Sequence, residues 1–258
     1  MTLDVWIIAL AKAGAFPTVT FMRLPSKAIG SKWSAWSATW AGVLAAVICV
    51  HAGCESAPGP REPLNLDTAK AAVVRYYESG DYDRAVAGVA AEARAWIEQC
   101  VAHRQSGERL AVVFDLDDTL LSNYPHIAAV GFGYIPGDWD AWIARGEAPA
   151  IKPVRELFLT ARRLGLDVFL ISGREEPRER AATEANLRRE GLGDYTRLIM
   201  QSAGGPKLSR SEYKTAARRA LVGEGYAIVA NVGDQESDLR GGYAGRTFKL
   251  PDPLYLME

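Results

Sequence analysis

Cysteine is scarce in this chain: three residues among 258, Cys49, Cys54 and Cys100, with no CxxC pair. That excludes a disulfide framework as the source of its stability. Cys49 lies inside an apolar run, and Cys100 falls in a helical pattern as a small packed side chain. An excess of charge is missing too. A formal net charge of -1 gives no bulk electrostatic pull toward nucleic acid or a membrane surface. No internal repeat and no low-complexity tract interrupts the chain. What remains is ordinary globular composition, 48% hydrophobic and 24% charged. One domain of about 200 residues plus an extra segment fits this length better than two full domains.

The charge is unevenly spread. Residues 1–54 hold four basic residues (Lys12, Arg23, Lys27, Lys32) against one acid, Asp4, which leaves 26 basic and 30 acidic residues in the remainder. Arg23, Lys27 and Lys32 lead into Trp40–Val50, 11 uncharged residues, followed by Ala52, Gly53 and Cys54. A basic lead, a short apolar core and small residues at a cleavage point describe a secretory signal. The stretch is short for a membrane span, which needs about 20 apolar residues. The "AGC" ending resembles a bacterial lipoprotein signal, whose cysteine is lipidated, although His51 departs from the apolar residue preferred there. The expectation is export, to the periplasm or as a lipoprotein anchored at Cys54, with residues 55–66 as a proline-bearing tether. An uncleaved anchor and a plain signal cut nearby are the alternatives. Met22 stands just ahead of the basic region as a candidate start.

From residue 67 the pattern changes. Ala71, Val74 and Tyr77, then Ala85, Val89, Ala93 and Ile97, recur at helical spacing, with Gly80 between two helices and Asp81 set to cap the second. "RLAVVFDLD" (109–117) and "LDVFLISGR" (166–174) are short β-rich runs ending in polar residues. The helix after the second run has Pro177 near its start and Gly191 at its end. Residues 197–200, 226–234 and 246–251 are three further strand candidates. Strands alternating with helical patterns predict an α/β fold: an open, mostly parallel sheet with helices on both faces. Asp115, Ser172 and Asp234 all fall at the carboxyl ends of predicted strands, where open α/β sheets bind ligands.

Three aspartates within four positions, Asp115, Asp117 and Asp118, need a reason. Turn and capping chemistry accounts for one of them, Asp118, or for Thr119 beside it, and hardly for three. A calcium loop fails on spacing, because the sixth position is Leu120 instead of Gly and the twelfth is His126 instead of Glu. A Mg²⁺ site that also handles phosphate fits, since that cation takes one or two carboxylates and leaves positions to water and phosphate oxygens.

"DLDDT" (115–119) resembles the first motif, DxDxT, of the haloacid dehalogenase superfamily of phosphohydrolases. "LISGR" is similar to the second, "YKTAARRAL" to the lysine-bearing third, and "VGDQESD" to the fourth, GDxxxD. Each motif alone is weak, but four occur in order over most of residues 67–258. The resemblance is strongest to the acid phosphatase subgroup of class C bacterial enzymes and plant vegetative storage proteins, through "YKTAARRALVGEGYAIVANVGDQESDL" and the ending "GRTFKLPDPLYLME".

That resemblance implies a Rossmannoid phosphatase domain over residues 67–258. It implies Asp115 as the nucleophile forming an aspartyl phosphate, and Asp117 as the acid that protonates the leaving oxygen and then activates water. A carboxylate beside another carboxylate holds its proton, so Asp117 is expected to carry one. Mg²⁺ is assigned to Asp115, the Asp117 backbone carbonyl and Asp234, with Asp238 orienting metal-bound water. Ser172 and the Gly173 amide hold phosphoryl oxygens, and Lys214, with Lys207 as its rival, neutralises them. Arg174 either contacts substrate or pairs with an acid. Residues 120–152 resemble the subgroup's small cap, with Tyr124, Phe132, Tyr134, Trp139 and Trp142 either lining the substrate entrance or forming the insert's own core. The expected function is Mg²⁺-dependent hydrolysis of small phosphate monoesters, with no nucleic-acid partner and a membrane contact only through Cys54. The alternatives are a catalytically weak storage or phosphate-binding protein on this fold, or a phosphotransferase to alcohols.

Overall fold

The computed structural model describes residues 62–205 and 207–257, together with two strands near the start of the sequence. The chain forms two compact units, Met1–Pro63 and Leu64–Glu258. In the first, β1 (Trp6–Ala11) pairs antiparallel with β2 (Thr18–Arg23). Both runs are rich in β-branched or aromatic residues, which favour strands. The apolar stretch Trp40–Val50, Cys54 and most of the tether lie outside the described residues. Among the described residues no helix is long and apolar enough to cross a membrane.

The second unit opens with two helices, α1 (Leu66–Glu78) and α2 (Asp81–Ala102). Asn65 caps α1, its side-chain oxygen accepting from the amides of Asp67 (3.0 Å) and Thr68 (3.2 Å). The expected Asp81 cap on α2 is not formed. Gly80 holds the cap position at φ 75°, and Asp81 is the first helical residue, paired with Arg84. At that place its charge still favours the helix amino terminus.

Five strands then build one parallel sheet in the order β5-β4-β3-β6-β7. They are β3 (Arg109–Phe114), β4 (Asp167–Glu176), β5 (Arg197–Ser202), β6 (Tyr226–Gly233) and β7 (Arg246–Lys249). The strand after Leu166 runs two residues past Arg174, with a register shift against β5 between Ile171 and Glu175. Between the strands lie α3 (Tyr124–Ala129), α4 (Pro136–Arg145), α5 (Lys152–Arg163), α6 (Arg180–Arg189), α7 (Arg210–Gly223) and the short α8 (Glu236–Leu239).

β3 is central and apolar on both faces, as a strand covered twice must be. Leu110, Val112 and Phe114 pack with Ile97 of α2 and with Val154, Leu157 and Phe158 of α5. Ala111 and Val113 join Phe169, Ile171 and Leu221 of α7 on the other face. Each such large apolar side chain, fully buried, contributes about 1.5–3 kcal/mol. The two layers hold β3 rigidly. The chain leaves β3 toward β4 and β5 and returns through β6 and β7 on the opposite side, so the switch point lies beyond the carboxyl ends of β3 and β6.

The insert after β3 holds two short helices, α3 and α4, each with proline in its first turn. Its ends are tied by isolated bridges of Leu121 with Asp117 and with Ala150. Gly146 ends α4 at φ 59°, where a Cβ would stand 2.9 Å from the Ala182 carbonyl oxygen of α6. Glycine is needed there for both reasons.

Candidate active site

The loop after β3 is set by buried leucines as much as by its acids. The Asp115 amide donates to the Val232 carbonyl (2.9 Å), which extends the ladder by one residue. Leu116 and Leu120 are fully buried, and the Leu120 amide donates back to the Leu116 carbonyl (3.0 Å). Asp118 sits at φ 55°, a conformation that short polar side chains tolerate. Its Oδ1 accepts the Asn123 amide (2.8 Å) and its Oδ2 accepts the Tyr255 hydroxyl (2.7 Å). The tight loop therefore delivers Asp115 and Asp117 together to the rim.

α7 begins with a capping box between Ser209 and Glu212, which fixes the helix that carries Lys214. Lys214 is buried, and its ammonium group donates to both Asp115 Oδ1 and Asp238 Oδ1. Lys207, the rival lysine, is exposed. Asp234 follows β6; its Oδ1 accepts from Thr119 Oγ1 (2.9 Å) and its Oδ2 from Gln235 Nε2 (2.7 Å). Asp238 Oδ2 accepts the Gln235 amide at 2.9 Å. A Cβ on Gly233 would stand 2.5 Å from that of Asp238, so only glycine lets the two loop arms meet. Carboxylate oxygens of Asp115, Asp234 and Asp238 lie within 4.8 Å of one another.

Asp117 has a different partner. The Arg174 guanidinium forks onto it, Nη2 to Oδ1 at 2.7 Å and Nε to Oδ2 at 3.1 Å, and also reaches Thr183 Oγ1 at 3.0 Å. Ser172 is fully buried, its Oγ accepting the Arg174 amide at 3.1 Å.

A cavity of about 670 Å³ opens over this rim, with Asp115, Asp117, Gly173, Arg174 and Lys214 in its lining. Ser172, Asp234 and Asp238 lie behind that surface. Of the five aromatic residues singled out in the insert, Phe132, Tyr134 and Trp139 line the cavity. Trp142 is buried and donates from Nε1 to Asn123 Oδ1 (2.8 Å), while Tyr124 stacks on Tyr77 with ring centres 3.8 Å apart. The insert is thus part wall and part core.

The charges have settled unequally. Burial pushes Asp115 above the usual carboxylate range, Asp238 and Asp117 push the same way, and Lys214 opposes them. Asp234 is raised by burial and by Asp115 and Asp238. Burial pulls Lys214 down, but its two acids outweigh that and hold it protonated. Asp117 runs against the expectation that it keeps a proton. Burial favours the acid form, but the charge and hydrogen bonds of Arg174, with the bond from Asn123, win and hold it below the ordinary range.

Asn123, Gln235 and Tyr255 were missed by the sequence reading. Asn123 lies four residues beyond the DLDDT run and Gln235 inside "VGDQESD", so position relative to a motif was their available signal. Tyr255, 137 residues from its partner Asp118, offered none beyond the ending "LPDPLYLME".

A family model described as HAD superfamily, subfamily IIIB (Acid phosphatase), matches residues 52–258. Acid phosphatase 1 of Solanum lycopersicum is 40% identical over 147 residues, 55% of this chain and 57% of that protein. Vegetative storage protein 1 of Arabidopsis thaliana is 40% identical over 147 residues, 55% of this chain and 54% of that one. This chain therefore spans a little over half the length of the curated relatives it matches. The class C acid phosphatase from Bacillus anthracis shares the fold with a TM-score of 0.62 and 26% identity, over 74% of this chain and 86% of that one.

Proposed function

This chain belongs to subfamily IIIB of the HAD superfamily, the acid phosphatases, and on that premise we propose that it hydrolyses phosphate monoesters through an aspartyl phosphate on Asp115, with Mg²⁺ as its metal. The observation that carries this reading is Lys214, buried between Asp115 and Asp238 at the floor of the cavity. A single ammonium group serving two carboxylates leaves the cluster short of positive charge, and Asp234 adds a third acid. A donor set made only of hard oxygens, short of one cation, fits Mg²⁺. Asp115, Asp234 and the Asp117 backbone carbonyl would hold it. Asp238, whose oxygens lie close to theirs, is given the supporting role that the family resemblance implies. When bound, the metal supplies charge neutralisation and draws phosphoryl oxygens toward the site.

The chain's own groups do the rest. Asp115 Oδ1 is anchored by Lys214, which leaves its second oxygen to attack phosphorus as the P–O bond to the alcohol breaks. Asp117 gives a proton to the departing oxygen, then takes one from the water that cleaves the aspartyl phosphate. Because Arg174 holds Asp117 ionised, the protonated form becomes common only toward acid pH. Lys214 and the Gly173 amide stabilise the phosphoryl charge, with Ser172 fixing the turn from behind. The test is hydrolysis of a chromogenic phosphate ester with and without EDTA, followed by Mg²⁺ restoration. Hydrolysis that EDTA leaves intact would overturn the metal assignment, and none under any condition would favour a storage role. Product analysis with added alcohol separates hydrolysis from phosphotransfer.

Export is part of the same proposal. The family match begins at residue 52, so the basic and apolar segment of residues 23–51 lies ahead of the shared domain. Labelled palmitate should enter the wild type and not Cys54→Ser; label in both, or in neither, overturns lipidation at Cys54.

A further inference from the structure

We infer that Tyr255 is a positioning residue for Asp117, acting through the buried pair Asp118 and Asn123. The inference rests on the reading of Asp117 as the group that protonates the leaving oxygen. Residues 250–257 have no helix or strand, yet Leu254, Tyr255, Leu256 and Met257 line the cavity opposite the aromatic wall of the insert. Leu250 is fully buried and anchors the start of this segment in the core, whereas Leu256 is 74% exposed. Beyond Leu250, polar ties add to the packing. The Met257 amide donates to Gln235 Oε1 at 2.9 Å, Gln235 Nε2 donates to Asp252, and the Tyr255 hydroxyl donates to Asp118 Oδ2 at 2.7 Å.

Asn123 relays the last of these. Its Oδ1 accepts from the Trp142 indole, which can only donate, so its amide nitrogen must face the carboxylates. One hydrogen of that nitrogen reaches Asp118 Oδ2 at 3.2 Å and the other Asp117 Oδ1 at 3.0 Å. The second bond decides which oxygen of Asp117 is the less encumbered. Arg174 alone pairs with both oxygens; Asn123 adds a further donor to Oδ1 and leaves Oδ2 with one contact at 3.1 Å. Oδ2 is then the atom with room to carry a proton toward the substrate. Losing the Tyr255 hydroxyl leaves Asp118 Oδ2 with only the longer bond, so Asp118 and Asn123 can shift and Asp117 loses its bias.

The test is Tyr255→Phe, which keeps the ring and removes the hydroxyl. An alkyl phosphate needs its leaving oxygen protonated, whereas p-nitrophenyl phosphate leaves without help. Misplacing the acid should lower kcat/KM for butyl phosphate about tenfold, and for p-nitrophenyl phosphate by less than about twofold. Added to Asn123→Ala, the change should cost nothing further, because both act on one path. Equal losses on both esters, no loss on either, or a full additional loss in the double variant overturns the inference. Asp117→Asn provides the separate control: if it leaves the ratio of the two esters unchanged, the underlying role of Asp117 is wrong and this inference falls with it.

Discussion

Two cation–carboxylate clusters sit at one rim of the sheet, and they settle their charge in opposite ways. Around Lys214, one ammonium group is shared by Asp115 and Asp238, with Asp234 close by, and Asp115 and Asp234 are pushed up. Around Arg174, a planar fork is spent on Asp117 alone, and that acid is pulled down. A point charge divided between acids leaves a deficit that a divalent cation would fill, whereas a fork fixed on one acid sets both its position and its ionisation. Asp115 and Asp117 are two residues apart in the chain, and the partner each finds gives them different chemistry.

The largest expected break of this comparison is Asp115→Asn. Asparagine keeps the shape but is no carboxylate nucleophile, so turnover should fall to assay background with circular dichroism unchanged. Activity within about tenfold of wild type would refute the assignment.

Next come the two sides of the Lys214 cluster. Lys214→Ala removes the cation proposed to hold nucleophile and phosphate together, at an expected cost of about 10²–10³-fold in rate. Asp234→Ala removes a proposed metal ligand, so much of its defect should be recovered at high Mg²⁺. Titrating Mg²⁺ against rate distinguishes them, and rescue of Lys214→Ala alone reverses the two roles.

The Arg174 cluster should respond through pH. Arg174 holds the Asp117 pKa down, so Arg174→Met should raise it. If the protonated acid is the active form, the alkaline limb of kcat/KM for an alkyl phosphate then moves to higher pH. A limb that stays put, or moves to lower pH, removes Asp117 from that step. Arg174→Lys should fall between the two, since it keeps the charge and loses the fork. The smallest effect belongs to Lys207→Ala. Its side chain is exposed and outside the cavity lining, so rates should stay within about twofold.

The sheet was legible because its code is local. "RLAVVF" before "DLDDT" is apolar at consecutive positions, as a doubly covered strand requires, and Gly233, the last residue of β6, marks the close turn. The Asp81 cap was misjudged because Gly80, free to adopt positive φ, took the position that an aspartate would fill. The proton expected on Asp117 failed for another reason. Sequence shows neighbouring acids along the chain, but Arg174 comes from a different strand, 57 residues on.

By itself, then, the sequence determined which residues form strands and helices and which polar side chains stand at strand ends, because periodicity and motif spacing are properties of neighbours along the chain. Tertiary structure alone decided which acid meets which cation, which oxygen of Asp117 carries fewer contacts, and which insert aromatics face the cavity. Ionisation and positioning depend on groups that are distant in sequence and within about 3 Å in space, and linear order does not encode that distance.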